Sequence, residues 1–226
     1  MSREADEERV RTFFGLIRPM YTELVATLVD DADVVMNEAE SVYGDMVPEM
    51  AYVDQNRHPM ANSLFGCNAA LAIFLVLRDR GISEHEFGGA LLKAMTKLPA
   101  PEQADDEQAR RDGIDKLIEA ADASQLDAKP GEFVYEVYWD EDESADWGMN
   151  IKSCAICHSF SRHDAMALVP YMCATDDVMS DAGHQGLRRT GTIAVGAHQC
   201  DFVYKRDGAP QHIAELYPDK IRIVQD

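Results

Sequence analysis

The chain has 226 residues, of which 46% are hydrophobic, so it is long enough to bury the core of one large domain. Its 41 acidic and 21 basic residues give a formal net charge of -20, which repels phosphate backbones and anionic membrane surfaces. Nucleic acid and membranes are therefore poor candidates as partners. We expect a single domain with a helical half over residues 1–125 and a sheet-containing half over residues 131–226.

The first element predicted from the sequence is an amphipathic helical stretch from Glu7 to about Tyr43, where apolar residues recur every three or four positions. Pro19 lies inside this stretch and lacks an amide donor, so we expect it to kink one long helix or to begin a second. Gly44 and Pro48 are expected to end the element, and a loop should follow.

A second helix is predicted around residues 64–77, which are apolar nearly all round. Such a helix is usually central, and its longest apolar run, Ala69 to Leu77, is too short for a membrane span of roughly 20 residues. Asn62 or Ser63 is expected to cap its start, and Gly81 is expected to stop it.

The rest of the helical half is predicted to contain one well-marked helix and one short one. Ser83 and Glu86 have the spacing of a capping box, which predicts a helix start. The acidic segment from Glu102 to Asp112 reads as a solvated connection, and residues 114–118 then predict one or two more helical turns. Pro130 and Gly131 break the chain after them.

After this break the hydrophobic period changes from helical spacing to alternation, which is typical of strands. Residues 133–139 and 147–151 alternate and should pair as an antiparallel hairpin. The loop between Asp140 and Asp146 is rich in carboxylates, but it lacks the spacing and central glycine of an EF-hand, so we read it as solvated.

The remaining segments complete an α+β fold, in which the helical half packs on a mostly antiparallel sheet with inserted cysteine-bearing helices. Two helical pieces are expected over 154–163 and 164–179, with Pro170 at their junction. Further strands are predicted over 187–195, 201–204 and 221–224.

Reactive side chains concentrate between Ser153 and Phe202, which hold four of the five cysteines and four of the seven histidines. The order is Cys154-Ala-Ile-Cys157-His158, Cys173-x-x-Asp176-Asp177, Arg188-Arg189-Thr190-x-Thr192 and His198-x-Cys200-Asp201. These residues are close enough in sequence for their thiols, carboxylates and imidazoles to line one pocket.

The same residues carry a resemblance to a known family. The run from Cys154 through Met172-Cys173-x-x-Asp176 and Leu187-x-Arg189-Thr-x-Thr192 to Gly196-x-x-x-Cys200-Asp201-Phe202-x-Tyr204 resembles the L-2-amino-thiazoline-4-carboxylic acid hydrolase family. The helical half, with Asn68 in its apolar helix, resembles the family only loosely. The resemblance implies a hydrolase that opens a small heterocycle at an amidine-like carbon, with a carbon–nitrogen or carbon–sulfur bond cleaved.

Three cysteines are candidate nucleophiles for such a reaction, because a thiolate attacks an electron-poor carbon better than a hydroxyl does. Cys200 is the preferred candidate, since it stands beside Asp201 and close in sequence to His198. Cys154 and Cys173 are alternatives that the sequence does not rank. Direct attack by an activated water, without a covalent step, also stays open.

The other candidate site residues would move protons or bind substrate. Asp176, Asp201 and His198 are the candidates for proton transfer. Arg189 could pair with a substrate carboxylate, with Thr192 beside it, or it could form a structural ion pair. A structural hydrogen-bond role for Asp201 is weighed equally with a catalytic one.

No cofactor is expected, but the thiols leave zinc open as a ligand. Cys154 and Cys157 with Cys173, Cys200 or a histidine could form a tetrahedral site, although a second Cys-x-x-Cys pair is missing. The rival interpretation is therefore a non-catalytic zinc- or small-ligand-sensing domain. Cys154-x-x-Cys157-His158 also matches the haem-attachment motif of c-type cytochromes, but that chemistry normally follows export.

The N-terminal residues lack the basic start and apolar core of a secretory signal, which favours a cytoplasmic protein with reduced thiols. The expected partner is a small-molecule substrate. The sequence leaves open whether the chain forms a homo-oligomer.

Overall fold

The computed structural model describes residues 3–55, 58–99, 107–140 and 145–222. Its helices are α1 Arg3–Val25, α2 Ala32–Met46, α3 Ala61–Arg78, α4 Glu84–Met95, α5 Glu107–Asp127, α6 Ala155–Ser161, α7 Val169–Ala182 and α8 Ile213–Leu216. Its strands are β1 Val134–Trp139, β2 Trp147–Ser153, β3 Leu187–Arg188 and β4 Cys200–Tyr204. Short 3-10 turns lie at Val47–Glu49, Val53–Gln55, Met166–Leu168 and Ile193–Val195.

The helical half is organised around α3, which is buried on nearly every side, as its apolar sequence predicts. Helices α1, α2, α4 and α6 pack against it. By length and composition alone α3 could cross a membrane, but 61% of it is buried inside the protein, as in the core helix of a soluble fold. Gly81 follows α3 with φ +89, a left-handed conformation that glycine adopts without strain, so the predicted stop is confirmed.

Three details of the helical half differ from the sequence prediction. Helix α1 continues through Pro19, so a second helix does not begin at the proline; the chain leaves the helix after Val25 and α2 begins at Ala32. Helix α3 begins at Ala61 with no side-chain cap, so the cap predicted at Asn62 or Ser63 is wrong.

Helix α5 is also much longer than the one or two turns that were predicted. It packs along β1, where the hydroxyl of Ser124 accepts a hydrogen bond from the Tyr135 amide at 3.2 Å. This tertiary support explains a long helix in a segment with a weak hydrophobic pattern. Of the predicted acidic connection, residues 102–106 lie outside the described part of the chain.

The sheet has the strand order β1-β2-β4-β3, and every neighbouring pair is antiparallel. The predicted hairpin of β1 and β2 is confirmed, with Val137 opposite Met149. Strand β4 pairs with the other edge of β2, which places Asn150 opposite Asp201. The α+β class is therefore confirmed.

The strand predicted over 201–204 is confirmed as β4, but the other two predicted C-terminal strands differ from the structure. Of the strand expected over 187–195 only Leu187 and Arg188 pair with β4, because the next residue, Arg189, turns inward to buried carboxylates. Ile221 and Arg222 are not in a strand, and a short helix, α8, precedes them. The rest of that predicted strand, and residues 141–144 of the carboxylate-rich loop, lie outside the described residues.

The contact between α4 and α7 generates a stability prediction. A methyl group at Gly88 would lie 2.3 Å from the Tyr171 ring, whereas one at Gly113, on the exposed face of α5, would meet nothing within 4 Å. Gly88→Ala should therefore lower the free energy of unfolding by about 1–3 kcal/mol through overpacking. The matched control Gly113→Ala should raise it by up to about 1 kcal/mol.

Urea denaturation of both variants measures this difference. Equal free energies of unfolding for the two variants would contradict the close packing of α4 on α7.

Candidate functional site

All five cysteines belong to one group, which we call the thiol cluster: Cys67, Cys154, Cys157, Cys173 and Cys200. Each interacts electrostatically with at least one other member, although they come from α3, the start of α6, α7 and the start of β4. All five are free thiols. The structure thus brings together the three candidate nucleophiles of the sequence analysis.

Cys154 has a different environment from the other four thiols, because it is the N-cap of α6. Its extended backbone turns into the helix, and its sulfur accepts a hydrogen bond from the Cys157 amide at 3.5 Å. The Cys157 thiol, followed by the amides of Cys157 and Ile156, holds the pKa of Cys154 below its ordinary value. Free amides at a helix start stabilise negative charge, so Cys154 is the thiol most ready to ionise.

The remaining thiols keep their protons. Burial raises the pKa of Cys67, Cys173 and Cys200, in the last case to about 12. The pKa of Cys157 is raised first by its hydrogen bond to Cys154, since its proton is shared with the Cys154 sulfur. The preference for Cys200 in the sequence analysis therefore finds no electrostatic support, and Cys154 is the better candidate.

Asp176 is the carboxylate that faces the thiol cluster. Burial raises its pKa although Arg189 acts in the opposite direction. Even so, 46% of its side-chain area is accessible to water. We call the water-accessible space beside Asp176 and the thiol cluster the cleft. Asp176 interacts electrostatically with Cys67, Cys154 and Cys200 across this cleft.

Arg189 fixes the position of Asp176 through an ion pair. Its guanidinium lies 3.2 Å from Asp176 and 2.6 Å from Asp177, and it donates to the Cys173 carbonyl at 2.5 Å. The same group lies over the Phe202 ring, 5.0 Å from its centroid. With no accessible side-chain area, Arg189 forms the structural ion pair that the sequence analysis left open.

The remaining predicted site residues are Asp201, His198 and Thr192. Asp201 accepts hydrogen bonds from the amides of Thr190 and Gly191, so it shapes the turn before the Ile193–Val195 segment. His198 is exposed. Thr192 is buried, and its hydroxyl has no partner among the described residues. Substrate contact by Arg189 and Thr192 and proton transfer by Asp201 and His198 stay predictions.

Sequence reasoning missed three members of the site. The sequence analysis assigned no catalytic or substrate-binding role to Cys67, Cys157 or Tyr204. Burial raises the pKa of Tyr204, and Asp176 adds to the effect, which places its ring beside the cleft. The Cys-x-x-Cys spacing was the available signal for Cys157, whereas nothing in the sequence pairs α3 with α6.

A separate pocket of about 360 Å³ is lined in part by residues of α3 and α6. Its described lining contains no cysteine; it includes Asn68, His158 and Ser159. The Ser159 hydroxyl donates a hydrogen bond to the Asn68 side chain, which ties α6 to α3 in the wall of this pocket.

Zinc binding was also considered from the sequence. Within the described ranges no three or more histidine, cysteine, aspartate or glutamate side chains are arranged to hold a metal ion. Zinc binding by the thiols stays a prediction.

Comparison with known families shows which family the chain belongs to. The family model described as L-2-amino-thiazoline-4-carboxylic acid hydrolase matches residues 67–204, which is more than half of the chain. The chain belongs to this family. The matched segment begins at Cys67 and includes the whole thiol cluster, Asp176 and Arg189. Neither the curated proteins nor the solved structures provide a significant match.

The hydrogen bond between Cys157 and Cys154 generates a testable prediction. Replacing Cys157 with alanine removes the thiol donor, so the pKa of Cys154 should rise. The rate of Cys154 alkylation by iodoacetamide, followed by peptide mass spectrometry over a pH series, measures this pKa. The Cys67→Ala variant serves as the control, because Cys67 is not among the groups that lower the pKa of Cys154.

The predicted result is a midpoint below that of an ordinary thiol in the wild type and a higher midpoint in Cys157→Ala only. An unchanged midpoint in Cys157→Ala would show that Cys157 does not stabilise the thiolate.

Proposed function

We propose that this protein is a cysteine-dependent hydrolase that opens a small cyclic amidine, of the 2-amino-thiazoline-4-carboxylate type, with Cys154 as its nucleophile. Membership of the family supports the reaction class. The single observation that carries the choice of Cys154 is its position as the N-cap of α6, where backbone amides and the Cys157 thiol stabilise a thiolate.

The first half of the proposed reaction forms a covalent intermediate. The Cys154 thiolate attacks the ring carbon that bears the exocyclic amino group. The bond from this carbon to the ring sulfur or ring nitrogen then breaks, and the leaving atom takes a proton from Asp176. The raised pKa of Asp176 suits this role, because the carboxyl group keeps its proton at a higher pH than an exposed aspartate does.

The second half adds water. Asp176, now a carboxylate, accepts a proton from a water molecule as the oxygen attacks the same carbon. The carbon–sulfur bond to Cys154 breaks, which releases the thiolate and leaves a carbamoyl product. The sum is the consumption of one water per ring opened, and both side chains return to their starting protonation states.

The charge balance of the cleft favours this division of roles. An ionised Asp176 raises the pKa of Cys154, so the thiolate is most stable while Asp176 is protonated. The protonated acid and the thiolate are the pair that the first step requires. Arg189 acts as a positioning residue, since it orients Asp176 and has no accessible surface of its own.

Turnover of 2-amino-thiazoline-4-carboxylate tests the proposal directly. Cys154→Ser should lower kcat by about a thousandfold or more, because a serine hydroxyl stays protonated at neutral pH. Cys200→Ser is the matched control: its sulfur accepts a hydrogen bond from the Ile193 amide at 3.3 Å, which a hydroxyl can replace. This variant should keep a rate within about tenfold of the wild type.

Circular dichroism of both variants confirms that they are folded, and the product mass identifies the addition of water. An active Cys154→Ser protein together with an inactive Cys200→Ser protein would return the role to Cys200. Stoichiometric zinc in protein purified without added metal, with no turnover, would instead favour the zinc-sensing interpretation.

A further inference from the structure

In the proposed hydrolysis Cys157 stabilises the Cys154 thiolate but forms no bond to the substrate, and its position relative to Cys154 allows a second kind of chemistry. The two cysteines are three positions apart across the first turn of α6, and the Cys157 amide donates to the Cys154 sulfur at 3.5 Å. Both residues are free and partly accessible, so the pair has the proximity and the access that a disulfide requires.

The two thiols are also chemically unequal, as thiol–disulfide chemistry requires. Cys154 is the member that ionises, and Cys157 keeps its proton. An oxidant therefore reacts first at Cys154, and Cys157 is next to the product of that reaction.

We propose that Cys154 and Cys157 form a dithiol that hydroperoxides oxidise to an intramolecular disulfide. In the first step the Cys154 sulfur attacks one peroxide oxygen, the oxygen–oxygen bond breaks, and hydroxide or an alkoxide leaves with the electron pair. Cys154 becomes a sulfenic acid, and the peroxide is reduced to water or an alcohol.

In the second step Cys157 loses its proton and attacks the Cys154 sulfur. The Cys154 sulfur–oxygen bond breaks, the oxygen leaves as hydroxide and takes up that proton, and one water is released. Two electrons pass from the two thiols to one peroxide, so the sequence is balanced without a further reductant.

The setting favours a small oxidant. Cys154 is only partly accessible and interacts electrostatically with Asp176, so a small peroxide reaches it more readily than a bulky disulfide does. Among the described cysteines, Cys157 is the one that donates a hydrogen bond to the Cys154 sulfur, which favours it over Cys173 and Cys200 as the resolving thiol.

The disulfide is independent of the proposed hydrolase activity and can be measured without substrate. If the hydrolase proposal also holds, the disulfide removes the nucleophile, so oxidation blocks turnover reversibly. Failure of one proposal therefore leaves a result that is distinct from failure of the other.

Peptide mass spectrometry tests the dithiol. The reduced full-length protein is treated with one equivalent of hydrogen peroxide, alkylated with iodoacetamide and digested with trypsin. Cleavage after Lys152 and Arg162 places both cysteines in one peptide, residues 153–162. The expected product is this peptide, unalkylated and lighter by two hydrogens, while the other three of the five thiols stay alkylated. Dithiothreitol should restore alkylation of both.

Two variants complete the test. In Cys157→Ala treated with excess hydrogen peroxide, Cys154 should accumulate as the sulfinic acid, because a second peroxide oxidises the sulfenic acid that no adjacent thiol resolves. In Cys67→Ser, the disulfide should form as in the wild type. A disulfide from Cys154 to Cys173 or Cys200, or a wild-type Cys154 that is oxidised to the sulfinic acid as fast as in Cys157→Ala, would overturn the proposal.

Discussion

The buried guanidinium of Arg189 is the interaction on which the site depends. It joins three elements, because it follows β3, pairs with two successive carboxylates of α7 and lies over a β4 ring. Asp177 accepts a second hydrogen bond from the Ile213 amide at 2.9 Å, which ties α8 to the same centre. Breaking a buried pair of this kind typically costs about 3–5 kcal/mol, since one charge is left uncompensated. The position of Asp176 in the cleft is thus fixed by tertiary electrostatics.

Around this centre the protein places five thiols but stabilises charge on one of them. Five neighbouring thiolates would repel each other in a poorly solvated space, and burial raises the pKa of Cys67, Cys173 and Cys200 accordingly. The start of α6 supplies backbone donors to Cys154 alone. Nucleophilic character is therefore determined by a helix terminus, and the surrounding thiols contribute a closely packed and weakly polar wall.

Sequence patterns predicted the parts of this molecule that depend on local periodicity. The apolar helix α3, the capping box of Ser83 and Glu86, and the β1–β2 hairpin are local features, and the structure has all three. The length of α5 and the early end of β3 depend on tertiary contacts, to Tyr135 and to the carboxylates of α7, that no short window of sequence encodes.

The candidate site could likewise be predicted only in part from the sequence. Spacing indicated that Cys154, Cys173 and Cys200 could meet, but ranking them required knowing which sulfur stands at a helix start. Proximity in sequence to His198 and Asp201 favoured Cys200, although one of these residues is exposed and the other is bound to the turn at Thr190. Arg189 resembled a ligand for a substrate carboxylate, and its burial became visible only in three dimensions.

Trapping the covalent intermediate tests the central claim most directly. Wild-type protein is mixed with excess 2-amino-thiazoline-4-carboxylate and quenched in acid during turnover, and the tryptic peptides are analysed by mass. The account predicts that peptide 153–162 gains the mass of the whole substrate, because the ring opens without losing atoms, and that fragmentation places this mass on Cys154. The same adduct on Cys173 or Cys200, or turnover in which no peptide carries an adduct even under single-turnover sampling, would contradict it.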